Sequence, residues 1–258
     1  MKIQYASDLH LELIENSFYF EKNPLKVTGD ILILAGDIHT FDPFQKFLEN
    51  SFWDWASKNY KLVIVAFGNH EFYQGYDLSK MENGFKYKIR ENVYYYYNCV
   101  VTIDDVDIIV STLWSYIHEE NKLSCKFGIN DFRLIKYKGK TLTPDNFNEE
   151  HKKCLDFIKK SLSESKAKTK IIVTHHVPSN LLIAEEFKDS DINDAFNVDL
   201  TDFIKECGAK YWIYGHSHRN INKLIGNTQC ICNQIGYMYF DENETFDPLA
   251  NINLEKSD

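Results

Sequence analysis

Histidine, aspartate and asparagine residues recur directly after short apolar segments of this sequence. Asp8 and His10 follow the first segment, and Asp37 follows the second. Later segments end in further candidate ligands, namely Asn69 and His70, His175 and His176, and His216 and His218. A lone histidine is usually structural, but six of the nine histidines lie in or beside these segments. This pattern predicts one shared site.

Carboxylate, imidazole and amide oxygen donors without thiolate suit Mn, Fe or Zn. One carboxylate can bridge two such ions. Two ions about 3.5 to 4 Å apart lower the pKa of a shared water, and the resulting bridging hydroxide can attack phosphorus. The residue types therefore predict two divalent or trivalent metal ions and a phosphate-ester substrate.

The elements that must position these residues are predicted from periodicity. Short apolar runs alternate with helical patterns, which indicates an α/β fold. Predicted strands span 3–7, 31–35, 62–67, 93–97, 100–103, 107–113, 171–174, 211–214 and 229–235, and predicted helices span 43–58, 77–90, 144–163 and 201–207. The carboxyl ends of parallel strands meet at one edge of a sheet, so residues distant in sequence can form one site.

The chain of 258 residues contains no repeat and no Pro-rich or Ser-rich linker, which predicts a single domain over residues 1–258. Two long connections, 118–130 and 178–199, are expected to select the substrate.

The formal net charge of −9 argues against a nucleic-acid surface but allows a small anionic substrate. No apolar run approaches the roughly 20 residues of a membrane helix, and the N-terminus resembles no secretory signal. We therefore expect a cytoplasmic protein with no membrane partner. The oligomeric state is left open.

Five blocks, taken in chain order, resemble the motifs of the calcineurin-like metallophosphoesterase family: Asp8-Leu9-His10, Gly36-Asp37, Gly68-Asn69-His70-Glu71, His175, and Gly215-His216-Ser217-His218. The resemblance implies a four-layer αββα sandwich with two mixed sheets.

The resemblance also implies roles for the matching residues. Asp8, His10 and His218 would bind one metal ion. Asn69, His175 and His216 would bind the other. Asp37 would bridge both ions, and His70 would contact the scissile phosphate and assist the leaving group or the transition-state charge.

The sequence departs from the motifs of two branches of this family, which narrows the branch that it resembles. Protein Ser/Thr phosphatases carry an Asp that orients the catalytic histidine, followed by Arg, where this chain has Thr40 and Phe41. Purple acid phosphatases place a metal-binding Tyr at the position of Thr40 and lack the histidine that corresponds to His10. The chain instead resembles the prokaryote-type group that includes phosphodiesterases.

Five more residues are candidates for binding substrate or orienting ligands. Arg133 and Arg219 could each bind phosphate, or form a structural ion pair. His39 could contact substrate, orient His70, or be an exposed loop residue. We interpret Glu71 and His176 as partners that orient the metal ligands.

We expect a phosphohydrolase acting on small phosphodiesters. The alternatives are a phosphomonoesterase, a Mn-dependent nuclease similar to the double-strand-break repair nuclease, and an inactive protein-binding scaffold.

Overall fold

The computed structural model describes residues 1–42 and 46–254. The strands in chain order are β1 Lys2–Ala6, β2 Ile31–Leu34, β3 Leu62–Ala66, β4 Phe85–Arg90, β5 Val93–Tyr97, β6 Cys99–Ile103, β7 Val106–Val110, β8 Lys136–Tyr137, β9 Lys140–Thr141, β10 Thr169–Val173, β11 Tyr211–Tyr214, β12 Lys223–Ile225, β13 Thr228–Cys232 and β14 Asn251–Asn253. The α-helices are α1 Ile14–Lys22, α2 Ser51–Asn59, α3 Lys122–Gly128, α4 Asp131–Leu134, α5 Pro144–Glu164 and α6 Thr201–Glu206.

The strands form two six-stranded mixed sheets. The first has the order β14-β1-β2-β3-β5-β4 and the second β12-β13-β11-β10-β7-β6. The four central strands of each sheet pair in parallel, and each edge strand pairs antiparallel with its inner neighbour. The parallel centre of each sheet therefore directs several strand ends toward one edge.

Three apolar cores separate four layers. Strand β2 illustrates the arrangement, because its side chains alternate between faces. Ile31 and Ile33 enter the core between the two sheets, together with Ile171 and Ile213. Leu32 and Leu34 enter a second core with residues of α1 and α2. A third core joins the second sheet to α5 and α6. The expected αββα sandwich is therefore the observed fold.

Local sequence explains the start of α5 and the end of α6. The Thr143 hydroxyl accepts a hydrogen bond from the backbone N–H of Asn146 at the start of α5, where Pro144 needs no donor. Gly208, with φ +70°, follows the end of α6. Both helices match their predicted spans to within a residue.

Two predicted helices were wrong in part. The segment 77–90 forms a 3-10 turn, Leu78–Lys80, and then strand β4. Phe85, Tyr87 and Ile89 pack against the core and alternate with lysines, and this period of two was overlooked. In the segment 43–58, α2 begins only at Ser51, because Asn50 caps it. Residues 43–45 of that prediction lie outside the described residues.

The predicted connection 118–130 contains helix α3, whereas the connection 178–199 holds only short 3-10 turns. Among the described helices, none has the length and apolar character needed to cross a lipid bilayer.

Candidate metal centre

The candidate residues lie where strands of both sheets end. Asp8 follows β1, Asp37 follows β2, and Asn69 follows β3 in the first sheet, while His175 and His216 follow β10 and β11 in the second. The backbone N–H of His216 donates to Asp8 Oδ1 at 3.1 Å and so links the two sheets at the site. Side chains that are up to 210 positions apart in the sequence therefore share one edge of the sandwich.

The backbone at the site adopts an uncommon conformation. Asp8, His10, Asp37, His216 and His218 all have positive φ, between 47° and 77°. Asp and His tolerate this left-handed region better than most residues, at a cost of about 1 kcal/mol or more each. The surrounding fold therefore holds these side chains in place against a local preference.

Asp8, His10 and His218 form the first cluster of donor atoms, all within 4.8 Å of one another. His10 Nε2 lies 3.1 Å from His218 Nε2, which in turn lies 3.4 Å from Asp8 Oδ1. These three residues could hold one metal ion.

Asp37, His175 and His216 form the second cluster. His175 Nε2 lies 3.3 Å from Asp37 Oδ1 and 3.1 Å from His216 Nδ1. Asn69 Oδ1 is 3.1 Å from the same His175 nitrogen and adds an oxygen donor. This cluster could hold a second ion.

Asp37 lies between the two clusters. It also groups with His10 and His70 within 4.8 Å. Although burial opposes its ionisation, His175 and His70 hold the pKa of Asp37 well below its usual range. An ionised carboxylate that reaches both groups of donors has the position that a bridging ligand requires.

The outward nitrogens of four imidazoles contact groups that only accept hydrogen bonds. These contacts are His10 Nδ1 with Glu12 Oε1 at 3.2 Å, His218 Nδ1 with Glu242 Oε2 at 2.6 Å, His175 Nδ1 with Ala35 O at 2.9 Å, and His216 Nε2 with Ala195 O at 3.3 Å. Each outward nitrogen must therefore carry a proton.

The inward nitrogens of these rings face one another. His10 faces His218, and His175 faces His216, each across 3.1 Å. Two lone pairs at this distance repel unless a proton or a metal ion lies between them. Although burial lowers it, neighbouring carboxylates raise the pKa of His175 to about 9 and that of His218 to about 10, so each pair contains one ring that attracts positive charge. The donor set therefore fits bound metal ions, with outer hydrogen bonds of the kind that orient metal-binding histidines.

His70 lies at the edge of both clusters. Its backbone N–H donates to Asp37 Oδ1 at 2.9 Å, and its Nε2 lies 3.9 Å from Asp37 Oδ2. The hydroxyl of Tyr237 is 3.1 Å from the same Nε2. His70 also lines the open cleft above the clusters, where a substrate would enter.

Glu71 supports the loops that carry the site. Its carboxylate accepts backbone hydrogen bonds from Asp37, Ile38 and Gly68 at 2.7 to 3.0 Å. Gly68 has no room for a side chain, because a Cβ there would lie 2.1 Å from Asp37 Oδ1. The Gly68–Glu71 turn is thus built around the Asp37 carboxylate.

Glu12 contacts two site histidines and was not predicted from the sequence. Glu12 Oε1 accepts from His70 Nδ1 at 2.9 Å as well as from His10. Although burial raises it, these hydrogen bonds lower the pKa of Glu12 to about 2. Glu12 lies in the turn that follows β1, two residues after His10, and no pattern in the sequence indicated this role.

A second missed residue is Asp131, which is fully buried. Its Oδ1 accepts from Asn69 Nδ2 at 2.8 Å and from the Tyr73 hydroxyl at 2.6 Å. These contacts turn Asn69 Oδ1 toward His175. No pattern in the sequence indicated this role.

The remaining candidates contribute no donor atom to either cluster. His176 is buried and packs on the His216 ring, with ring centroids 4.2 Å apart, and neither of its nitrogens has a partner in the described part of the chain. His39 Nδ1 contacts the Thr40 carbonyl, whereas the contact with His70 Nδ1 comes from Glu12. Arg133 is exposed and donates to Phe127 O, away from the cleft. Arg219 lines the cleft and pairs with Glu186 at 2.8 Å.

The comparisons with known proteins agree with this geometry. The sequence profile of the family described as calcineurin-like phosphoesterase matches residues 1–220. An uncharacterized protein of Acanthamoeba polyphaga mimivirus is 30% identical over 282 residues, which cover 98% of this chain and 97% of that protein.

Among solved structures, the phosphopantetheinyl hydrolase of Mycobacterium tuberculosis superposes with a TM-score of 0.63 at 16% identity, covering 95% of this chain and 92% of that one. This likeness shows a shared fold. The family match extends over most of the chain and includes both donor clusters. The chain therefore belongs to the calcineurin-like phosphoesterase family and is a metal-dependent phosphoester hydrolase.

Proposed function

We propose that the protein hydrolyses small phosphodiesters at a centre of two metal ions, either Mn, Fe or Zn. Asp8, His10 and His218 would hold one ion. Asn69, His175 and His216 would hold the other, and Asp37 would bridge them. The observation that carries this proposal is the position of Asp37, whose carboxylate groups with donors of both clusters. Bound ions would act as Lewis acids on the phosphoryl group and lower the pKa of water.

His70 is the proposed catalytic residue. Glu12 accepts from Nδ1, which orients the ring and directs Nε2 toward the cleft. Although burial lowers it, the carboxylates of Asp37 and Glu12 raise the pKa of His70 and favour its imidazolium form. The Nε2–H of the imidazolium can donate a proton to a leaving-group oxygen or a hydrogen bond to a phosphoryl oxygen. Tyr237, 3.1 Å from Nε2, would keep the ring from rotating before substrate binds.

The cleft's chemistry supports a small substrate. Its volume is about 350 Å³, near the lower end of the range for small-molecule sites. No lysine lines it within residues 1–42 and 46–254. A nuclease would need cations that follow a phosphate backbone, so the cleft favours a small ester over nucleic acid.

The test is turnover of bis-(p-nitrophenyl) phosphate and p-nitrophenyl phosphate by Mn-reconstituted protein. We expect turnover of both with the diester ahead, and loss of about 100-fold or more in kcat for His70→Ala with near-normal metal content. A far higher rate on the monoester would make the protein a phosphomonoesterase. Unchanged turnover by His70→Ala would remove the role given to that residue.

A further inference from the structure

The cleft continues from the donor clusters into an apolar wall. We call this wall the apolar arm, and its residues are Ile129, Ile183, Ala184, Phe187, Ile192 and Phe196. All but Ile129 come from the segment 178–199. Most of these side chains stay partly exposed, and Phe187 is 36% exposed. Apolar side chains that line an open cleft next to a reaction centre are suited to hold part of a substrate.

The apolar arm is fixed in place rather than loosely attached. Asp194 Oδ2 accepts from the backbone N–H of His118 at 2.8 Å and from Asn121 Nδ2 at 2.9 Å, which joins the segment 178–199 to the start of the α3 region. Gly128 lets Ile192 approach, because a Cβ at Gly128 would lie 3.0 Å from Ile192 Cγ2.

The inner end of the apolar arm touches the donor clusters. Phe196 stacks on the His216 ring, with centroids 4.8 Å apart and planes at 28°. At the outer end, the Arg219 guanidinium lies 5.2 Å above the Phe187 ring. A ligand whose phosphate lies at the clusters would therefore extend along apolar surface.

The charges of the cleft disfavour a second phosphate on the ligand. Arg219 is the one arginine that lines the described cleft, and Glu186 at 2.8 Å and Glu242 at 3.8 Å already pair with it. No unpaired cation of the described lining is left for another anionic group. The part of the substrate beyond the reacting phosphate is thus expected to be uncharged.

We propose that the apolar arm binds the uncharged aliphatic or aromatic substituent of a phosphate ester, of single-ring or short-chain size. This inference rests on the proposed function and names its substrate class. The specificity would come from the segment 178–199, in particular from Phe187 and Ile183, and not from the metal ligands.

The test measures binding of methyl-, butyl- and hexylphosphonate to Mn-loaded protein by calorimetry. Affinity is expected to rise by up to about fourfold for each methylene that becomes buried. Phe187→Ala is expected to weaken hexylphosphonate about tenfold more than methylphosphonate. Leu123→Ala, which truncates a 68% exposed apolar side chain outside the cleft lining, is the matched control and should keep the chain-length dependence.

The outcomes separate the two proposals. If methylphosphonate and hexylphosphonate bind equally well, the binding role proposed for the apolar arm is wrong, and the proposed function is unaffected. Mn-loaded protein that binds neither phosphonate and turns over no nitrophenyl ester would overturn the proposed function, and the apolar arm with it.

Discussion

Glu12 Oε1 lies 2.9 Å from His70 Nδ1 and 3.2 Å from His10 Nδ1. One carboxylate therefore contacts both the proposed catalytic residue and a proposed metal ligand. In the protein Ser/Thr phosphatases, from whose pattern this sequence departs, an Asp at the position of Thr40 orients the catalytic histidine. Here the corresponding support comes from the loop that follows β1. The carboxylate that contacts His70 therefore follows β1 in this protein, whereas Thr40 follows β2.

Replacing Glu12 by Gln tests this positioning role. A neutral amide at this place no longer stabilises the imidazolium form of His70, so less His70 carries the proton that Nε2 donates, and kcat should fall about 10- to 100-fold. Glu15→Gln, on the exposed start of α1, should leave kcat unchanged.

The double variant Glu12→Gln/His70→Ala separates positioning from structure. If Glu12 acts through His70, the second substitution should lower kcat little beyond the loss caused by His70→Ala alone. Fully additive losses in steady-state kinetics would show that Glu12 acts elsewhere, for example through His10.

Asp131→Ala is expected to weaken metal binding. Without Asp131 the Asn69 carboxamide loses the acceptor that turns its oxygen toward His175, and loss of such a supporting contact typically costs 10- to 100-fold in affinity. Asp131→Asn, which keeps an oxygen acceptor, should lose less. Chelator competition measures both affinities, with exposed Asp156→Asn on α5 as the control. Equal metal affinity in wild type and Asp131→Ala would contradict the role.

Gly68→Ala should abolish activity through a steric clash with the Asp37 carboxylate. The new Cβ would lie 2.1 Å from Asp37 Oδ1, which cannot move freely because it accepts from the His70 N–H. Gly84→Ala is the informative control, since Gly84 has φ +87° and nothing within 4 Å of a Cβ. That substitution should cost about 1 kcal/mol of unfolding free energy and leave turnover intact. An active, metal-loaded Gly68→Ala protein would refute the steric argument.

The sequence predicted the position of a site residue correctly where the apolar strand before that residue is enough to place it. The residues after β1, β2, β3, β10 and β11 could be grouped because apolar strands of this kind end at a common edge. The structure brings the grouped side chains into two donor clusters, as expected. The family resemblance supplied the four-layer arrangement, which the strand pattern alone did not determine.

Contacts that depend on tertiary packing could not be predicted. Asp131 follows no apolar strand and reaches Asn69 only because α4 packs beside the site. Strand β4 is a different case, because its lysines alternate with Phe85, Tyr87 and Ile89, a period of two that indicates a strand, and its partner β5 follows directly in the sequence. For Asp131 the deciding partner is distant in sequence, and local pattern contains no information about it.

The most direct test of the metal centre is elemental analysis of Mn-reconstituted wild type and Asp37→Asn after removal of free metal. The proposed function predicts two metal ions per chain in the wild type and a clear loss in Asp37→Asn, because that variant lacks the shared negative charge. A wild type that retains no metal, or an Asp37→Asn variant that keeps two ions and full turnover, would contradict the bridged binuclear centre.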